Sequence, residues 1–133
     1  MKIGGEIIGA AFDVRKNSGK GLRESYYQAA LTYELKQRGL QVDTQVLVPA
    51  YYRGIKISDS YLADIVVENK VIIELKAIRD MKEAEISQII TYLKLSGFKL
   101  GYLINFGAKD FKLGNTRDSL PWEYGIYRIA NKI

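Results

Sequence analysis

The stretch "YLADIVVENKVIIELKA", residues 61–77, decides the fold because it combines two apolar strand patterns with charges that interrupt them. The valines, isoleucines and leucines would suit a buried β-hairpin. Asp64, Glu74 and Lys76 lie within this apolar run. Burying a charge is costly unless it is paired or binds a metal ion. An interaction that neutralises two carboxylates and a lysine is therefore expected in this hairpin.

The register of the hairpin determines whether these charges meet. Glu74 and Lys76 are two residues apart on one strand, so their side chains share a face of the sheet. If the loop is Glu68-Asn69-Lys70, Asp64 on the preceding strand lies directly opposite Glu74 and points the same way. A two-residue loop would place the two carboxylates on opposite faces. Asn69 suits the longer loop, because asparagine is a frequent turn residue.

Two carboxylates on one face point to a metal site. They repel each other unless one is protonated or a cation joins them. A divalent metal bound by Asp64, Glu74 and the carbonyl oxygen of Leu75 would resolve the conflict. Lys76 would then orient or deprotonate a water molecule, or stabilise developing negative charge, as metal-assisted phosphodiester hydrolysis requires. The alternative is an ion pair between Lys76 and Asp64, which the short pattern alone favours.

The composition fits one globular domain, residues 1–133, in which apolar residues make up 47%. The chain has no cysteine and no histidine, which excludes disulfides, thiolate metal sites and a histidine base. Any metal must therefore bind to oxygen, which favours magnesium, manganese or calcium. The net charge of +5 suits a polyanionic partner, although it is a weak signal. No segment approaches the roughly 20 apolar residues of a membrane span, so we expect a cytoplasmic protein.

The remaining patterns predict an α+β, or mixed α/β, domain. Helices are expected at residues 5–16, 22–38 and 83–96, with Gly39 and Gly97 ending the second and third. Strands are expected at residues 41–52, 55–67, 70–78 and 98–107, with Pro49 marking an edge or a bulge. Residues 122–130 fit either a last strand or a short helix. Three consecutive strands predict an antiparallel meander, and the strand after the third helix should return by a crossover.

Two further motifs flank the hairpin. "GLRESYYQAALTYEL", residues 21–35, contains Gly21, Glu24 and Tyr27 as G-x-x-E-x-x-Y, and Gln88 and Tyr92 form Q-x-x-x-Y in "QIITYLKLSG", residues 88–97. Together with the aspartate and the E-x-K of the hairpin, they closely resemble the GxxExxY protein family, a branch of the PD-(D/E)xK nuclease superfamily. The resemblance covers roughly residues 5–107 in the same order. Where relatives often read V-H-K, this chain has Val14-Arg15-Lys16, a position that we expect to carry no chemistry.

The resemblance implies a restriction-endonuclease-like core, which is a mixed β-sheet with helices on both sides. It also implies divalent-metal-dependent cleavage of DNA or, less favoured, of RNA, with magnesium as the expected ion and manganese as a substitute. A symmetric homodimer would suit an enzyme that cuts both strands. One rival interpretation is a non-catalytic nucleic-acid-binding module with a vestigial site. Another is a small-molecule phosphoesterase, or a structural protein with a coincidental cluster of charges.

Helix positions assign roles to the flanking motifs. Glu24 and Tyr27 share the apolar side of their helix, so Glu24 is expected near Asp64 as a third acidic ligand, directly or through water. The alternative for Glu24 is a charge favourable to the helix dipole. Tyr27 is assigned to substrate binding on the resemblance.

Gln88 and Tyr92 are four residues apart and share a helix face. We expect Gln88 to bind a carboxylate or a phosphate, and Tyr92 to donate to a phosphate or shape the pocket. The alternative, that both are ordinary partly buried polar residues, is equally favoured.

Overall fold

The computed structural model describes residues 2–115 and 124–130 of the chain. Within these ranges the chain forms three helices and six strands. The helices are α1 (Ile3–Ser18), α2 (Glu24–Gln37) and α3 (Glu83–Ser96). The strands are β1 (Val42–Tyr52), β2 (Ile55–Val67), β3 (Val71–Lys76), β4 (Leu100–Asn105), β5 (Asp110–Asn115) and β6 (Tyr124–Ala130).

The described strands form one mixed sheet in the order β1-β2-β3-β4-β6-β5. Strands β1, β2 and β3 pair antiparallel as a meander. Helix α3 then carries the chain across the sheet, so that β4 pairs parallel with β3. Strand β6 is antiparallel to β4 and parallel to β5. The predicted α+β (mixed α/β) class, the meander and the crossover strand are therefore confirmed.

Helices cover both faces of the sheet, as predicted. The apolar side of α2, formed by Tyr27, Leu31 and Leu35, is fully buried with α1 against one face. Helix α3 packs Ile86, Ile89 and Leu93 into a second apolar cluster on the other face. Ile90, on the same helix, is exposed.

The hairpin between β2 and β3 has the predicted three-residue loop. Val67 pairs with Val71, and the Lys70 N–H donates to the Val67 carbonyl oxygen at 3.0 Å. Glu68 and Asn69 both adopt a left-handed conformation, with φ of 53°. The pairing continues to Ile65 and Ile73, and this register puts Asp64 opposite Glu74.

The sequence predicted the boundaries less well near the C-terminus. Strand β6 settles the ambiguous tail in favour of a strand over residues 124–130, and residues 122 and 123 lie outside the described residues. Strand β5 was not predicted. Its Gly114 weakens the strand pattern, yet the structure requires glycine there, because a Cβ would lie 2.6 Å from a ring carbon of Tyr127.

A close backbone contact behind the sheet edge gives a stability test. A Cβ at Gly107, after β4, would lie 2.5 Å from the Ile78 carbonyl oxygen, after β3. We expect Gly107→Ala to lower the free energy of unfolding by about 1–3 kcal/mol, because neither loop backbone has room to move. Urea denaturation measures this change.

The matched control is Gly5→Ala in α1, where a Cβ meets no heavy atom within 4 Å. This substitution should raise the free energy of unfolding by about 0.5–1 kcal/mol, because alanine favours a helix over glycine. Similar stability changes for the two variants would contradict the packing described here.

Candidate active site

Asp64 and Glu74 meet between β2 and β3, where each carboxylate binds the backbone of the other strand. The Leu75 N–H donates to Asp64 Oδ2 at 2.8 Å, and the Asp64 N–H donates to Glu74 Oε1 at 3.1 Å. These side-chain bonds lie just beyond Ile65 and Ile73, the last regular pair of the hairpin. The two negative charges are therefore held side by side where the regular pairing ends.

Tyr61 orients Glu74 from the side of α3. Its hydroxyl donates to Glu74 Oε1 at 2.8 Å, and its ring stacks on Tyr92 with the centroids 3.8 Å apart. Burial and the negative charge of Glu74 raise the pKa of Tyr61, so the hydroxyl keeps its proton. No role for Tyr61 was predicted from the sequence, although Tyr61 opens the stretch that carries the motif.

Gln45 approaches Asp64 from β1. Its Nε2 atom lies 3.4 Å from Asp64 Oδ1 and donates at 2.7 Å to Gln28 Oε1 on α2. Gln45 has φ of 51°, a conformation that costs a non-glycine residue about 1–3 kcal/mol. The strained backbone of Gln45 thus lies beside the paired carboxylates, and no sequence pattern predicted it.

The pKa of Glu74 is raised above that of an ordinary glutamate. Burial raises it most and the Asp64 carboxylate raises it further, to about 7. The bonds from the Tyr61 hydroxyl and the Asp64 N–H lower it, as does the Lys76 ammonium, but these effects are smaller. A cation bound between the carboxylates would remove the unfavourable repulsion.

The donor atoms fit a hard divalent cation. Two carboxylates, with water and substrate oxygens, are a frequent ligand set for Mg²⁺. Within residues 2–115 and 124–130, no group of three or more acidic side chains is arranged to hold a metal. The site therefore fits an ion that is bound by two carboxylate side chains. The ligand set of Asp64, Glu74 and the Leu75 carbonyl stays a prediction.

Glu24 is the first residue of α2 and interacts electrostatically with Asp64 and Lys76. Partial burial raises its pKa, the Lys76 ammonium lowers it, and the Asp64 carboxylate raises it. Tyr26 and Tyr33 point to solvent, with 45% and 62% of their surface exposed, so α2 keeps the predicted orientation. Because the three acids do not form one cluster, Glu24 as a third ligand stays a prediction.

Lys76 forms no ion pair with the described residues. The ion pairs of the described residues involve Arg38 and Lys56 as cations, so the alternative pair between Lys76 and Asp64 is absent from them. Lys76 instead lines a small cavity of about 190 Å³ on the α3 side. Its other polar lining residues are Tyr61, Glu74, Glu85, Gln88 and Tyr92. The structure thus brings Gln88 and Tyr92 to Glu74 and Lys76, while Asp64 does not line this cavity.

Tyr27 does not reach this site. It is fully buried and stacks on Phe106, with ring centroids 4.5 Å apart. Its hydroxyl donates to the Gly19 carbonyl at 2.8 Å and accepts from the Leu22 N–H at 3.3 Å. This placement argues against the predicted substrate contact, because the side chain has no free surface. It fixes the loop before α2 instead.

The comparisons with known proteins agree with this arrangement. A family model described as the PD-(D/E)XK nuclease superfamily matches residues 1–117, which include every residue of the site. Searches of curated proteins and of solved structures returned no match. The mixed sheet with helices on both sides is consistent with the restriction-endonuclease-like core. Over the described residues, no helix is both long and apolar enough to cross a membrane.

The raised pKa of Glu74 predicts a pH dependence of stability. The folded protein binds a proton at Glu74 up to about pH 7, whereas the unfolded chain releases it near the ordinary glutamate pKa of 4.5. Stability should therefore fall as the pH rises between these values, on the order of 3 kcal/mol for this group. Glu74→Gln should remove that slope and be more stable than wild type at about pH 8. Urea denaturation across this range, without divalent ions, measures the effect.

Asp43→Asn is the control, because Asp43 is an exposed carboxylate on β1. This variant should keep the slope of the wild type. A Glu74→Gln protein whose stability follows the same pH profile as wild type would show that Glu74 is not destabilised in the folded state.

Proposed function

The chain belongs to the PD-(D/E)XK nuclease superfamily, and we propose that it hydrolyses DNA phosphodiester bonds with a divalent metal ion as cofactor. The observation that carries the proposal is the pairing of Asp64 and Glu74 across two strands, with the unpaired Lys76 two residues further on. A structural role alone would not need two carboxylates that destabilise each other. An ion and an anionic substrate relieve that repulsion.

Asp64, Glu74 and the Leu75 carbonyl would bind the ion, and Glu24 would contact it directly or through water. Magnesium is the proposed ion, with manganese as a substitute, because the donors are all oxygen and the site is small. Such an ion neutralises the carboxylates and stabilises the charge that develops on the phosphate. Removal of either carboxylate would therefore weaken binding of the metal ion.

The remaining groups orient the substrate. The Lys76 ammonium would orient the attacking water and stabilise negative charge on the phosphoryl oxygens. Tyr61 fixes one oxygen of Glu74 by donating to it. Gln88 and Tyr92 line the same cavity as Lys76 and would contact the phosphate backbone there.

We also infer that the chain belongs to the GxxExxY branch of the superfamily. Gly21, Glu24 and Tyr27 support this assignment, since Gly21 has φ of 98° and Tyr27 fixes the loop that Gly21 shapes. A homodimer would let two such sites cut both strands of a duplex, and analytical ultracentrifugation with and without DNA would test it.

Lys76→Ala tests the chemistry. The variant should keep its fold and its metal binding, because lysine is not a ligand. Cleavage of labelled linear, nicked, branched and single-stranded DNA with Mg²⁺ should fall by at least about a hundredfold. The control is Lys94→Ala, which removes an exposed lysine on α3 and should leave cleavage unchanged. Equal cleavage by wild type and Lys76→Ala would contradict the mechanism.

Metal binding is tested separately from cleavage. Mg²⁺ and Ca²⁺ should both raise the unfolding temperature of wild type, because a ligand that binds only the folded state stabilises it by mass action. Asp64→Asn should lose this stabilisation, and Lys76→Ala should keep it. Stabilisation of wild type without cleavage of any DNA form would favour a non-catalytic nucleic-acid-binding module. No stabilisation by either ion would contradict the metal site.

A further inference from the structure

A second cavity lies at the edge of the sheet where β3 and β4 end. It has a volume of about 720 Å³ and is lined by Lys20, Gly21, Ala77, Arg79, Gly107 and Lys109. Its three cations come from three different loops, which precede α2, follow β3 and follow β4. The lining includes no acidic residue, and the ion pairs of the described residues include none of these cations. Among the described residues, the three cations of the cavity therefore form no ion pair with a carboxylate.

The loop that carries Lys20 is fixed from the core. The buried Tyr27 hydroxyl binds the Gly19 carbonyl and the Leu22 N–H, on either side of Lys20 and Gly21. Gly21 has φ of 98°, which a residue with a side chain rarely adopts. The first and last residues of the G-x-x-E-x-x-Y motif thus shape this side of the cavity.

Asn105 fixes the other two loops to each other. It is 1% exposed, and its Oδ1 accepts at 3.0 Å from the N–H groups of both Ile78 and Gly107. Its Nδ2 donates to the Ile78 carbonyl at 2.9 Å. The loops that carry Arg79 and Lys109 are therefore held together by one buried amide.

Arg15 supports the loop after β4 from α1. Its guanidinium donates to the carbonyls of Phe106 at 3.1 Å and Ala108 at 2.7 Å. These bonds use the charge of Arg15 inside the fold, whereas Lys20, Arg79 and Lys109 keep their side chains exposed. The backbone at the cavity is fixed, and its cations remain available to a ligand.

The cavity borders the candidate active site. Lys76 lines the small cavity on the α3 side, and the next residue, Ala77, lines this one. Glu24, which interacts electrostatically with Lys76, begins the helix that follows the Lys20 loop. The three cations therefore lie at the end of β3 that carries Lys76.

We propose that Lys20, Arg79 and Lys109 bind the phosphodiester backbone of the nucleic acid next to the phosphate that is cleaved. This assignment rests on the proposed nuclease function and locates the path of its substrate. Lysine and arginine contacts to phosphates supply most of the sequence-independent affinity for nucleic acids, and loops fixed in advance lose little entropy on binding. The role of the cavity is to position the backbone and not to read its sequence.

The test replaces all three cations in the variant Lys20→Gln, Arg79→Gln, Lys109→Gln. Binding of a fluorescein-labelled DNA duplex is measured by anisotropy in Ca²⁺, at several salt concentrations. The slope of log K against log salt should fall in magnitude by about 3, because each lost phosphate contact changes it by about 0.9. At about 0.1 M salt, the affinity should fall on the order of a hundredfold.

The matched control is Lys2→Gln, Lys70→Gln, Lys99→Gln. These lysines line a cavity of about 740 Å³ at the opposite end of β3 and β4, so the control removes the same charge from an equally large cavity. Its affinity should stay within about threefold of wild type. An equal loss in both triple variants would overturn the proposal, because net charge alone would then explain binding.

Two measurements keep the outcomes separate. Thermal unfolding shows whether each triple variant folds. If the first triple variant does not fold, the single variant Lys20→Gln replaces it and should lower the magnitude of the salt slope by about 1. Cleavage by wild type tests the proposed function independently of binding. Wild type that binds the duplex but does not cleave it would overturn the proposed nuclease function. The two triple variants would still test whether the three cations bind the phosphate backbone. Wild type that does not bind the duplex would overturn this inference.

Discussion

The exchange of hydrogen bonds between Asp64 and Glu74 is the interaction on which the site depends. Each carboxylate accepts a backbone N–H from the opposite strand, so the hairpin of β2 and β3 is closed at this end by two side chains. The same bonds bring two negative charges together in a partly buried place. Burial and repulsion then raise the pKa of Glu74, and a bound cation would relieve that repulsion.

The rest of the fold supplies this pair from both faces of the sheet. Helix α3 places Gln88 and Tyr92 on one side, and Tyr92 supports Tyr61, the donor to Glu74. Helix α2 places Glu24 and Gln28 on the other side, and Gln28 accepts from the Gln45 amide that lies near Asp64. The loops at the end of β3 and β4 add positive charge beside the negative pair. The proposed metal site and the proposed phosphate contacts thus lie at the same end of β3.

The sequence predicted what depends on local spacing. The three-residue loop followed from the register that two strand patterns allow, and Glu68 and Asn69 adopt the left-handed conformation such a loop needs. The helical faces were also predictable, because Tyr27 and Leu31 repeat at helical spacing. That spacing could not separate a substrate contact from a core position, so the role assigned to Tyr27 was not supported.

The features that sequence reasoning missed depend on contacts between distant segments. Asn105 acts on Ile78, 27 residues away, and no local pattern distinguishes it from a surface asparagine. Gln45 adopts a left-handed conformation within a strand, and because it is not a glycine the sequence did not predict this conformation. Roles of this kind appear only when the sheet brings its strands together.

A ¹³C NMR pH titration of the Glu74 side-chain carboxyl tests the claim that a divalent ion stabilises the paired carboxylates. Without metal, Glu74 should titrate with a pKa of about 7. With saturating Mg²⁺, the pKa should fall below that of an ordinary glutamate, because the cation favours the ionised form. An identical titration curve with and without Mg²⁺ would contradict the claim.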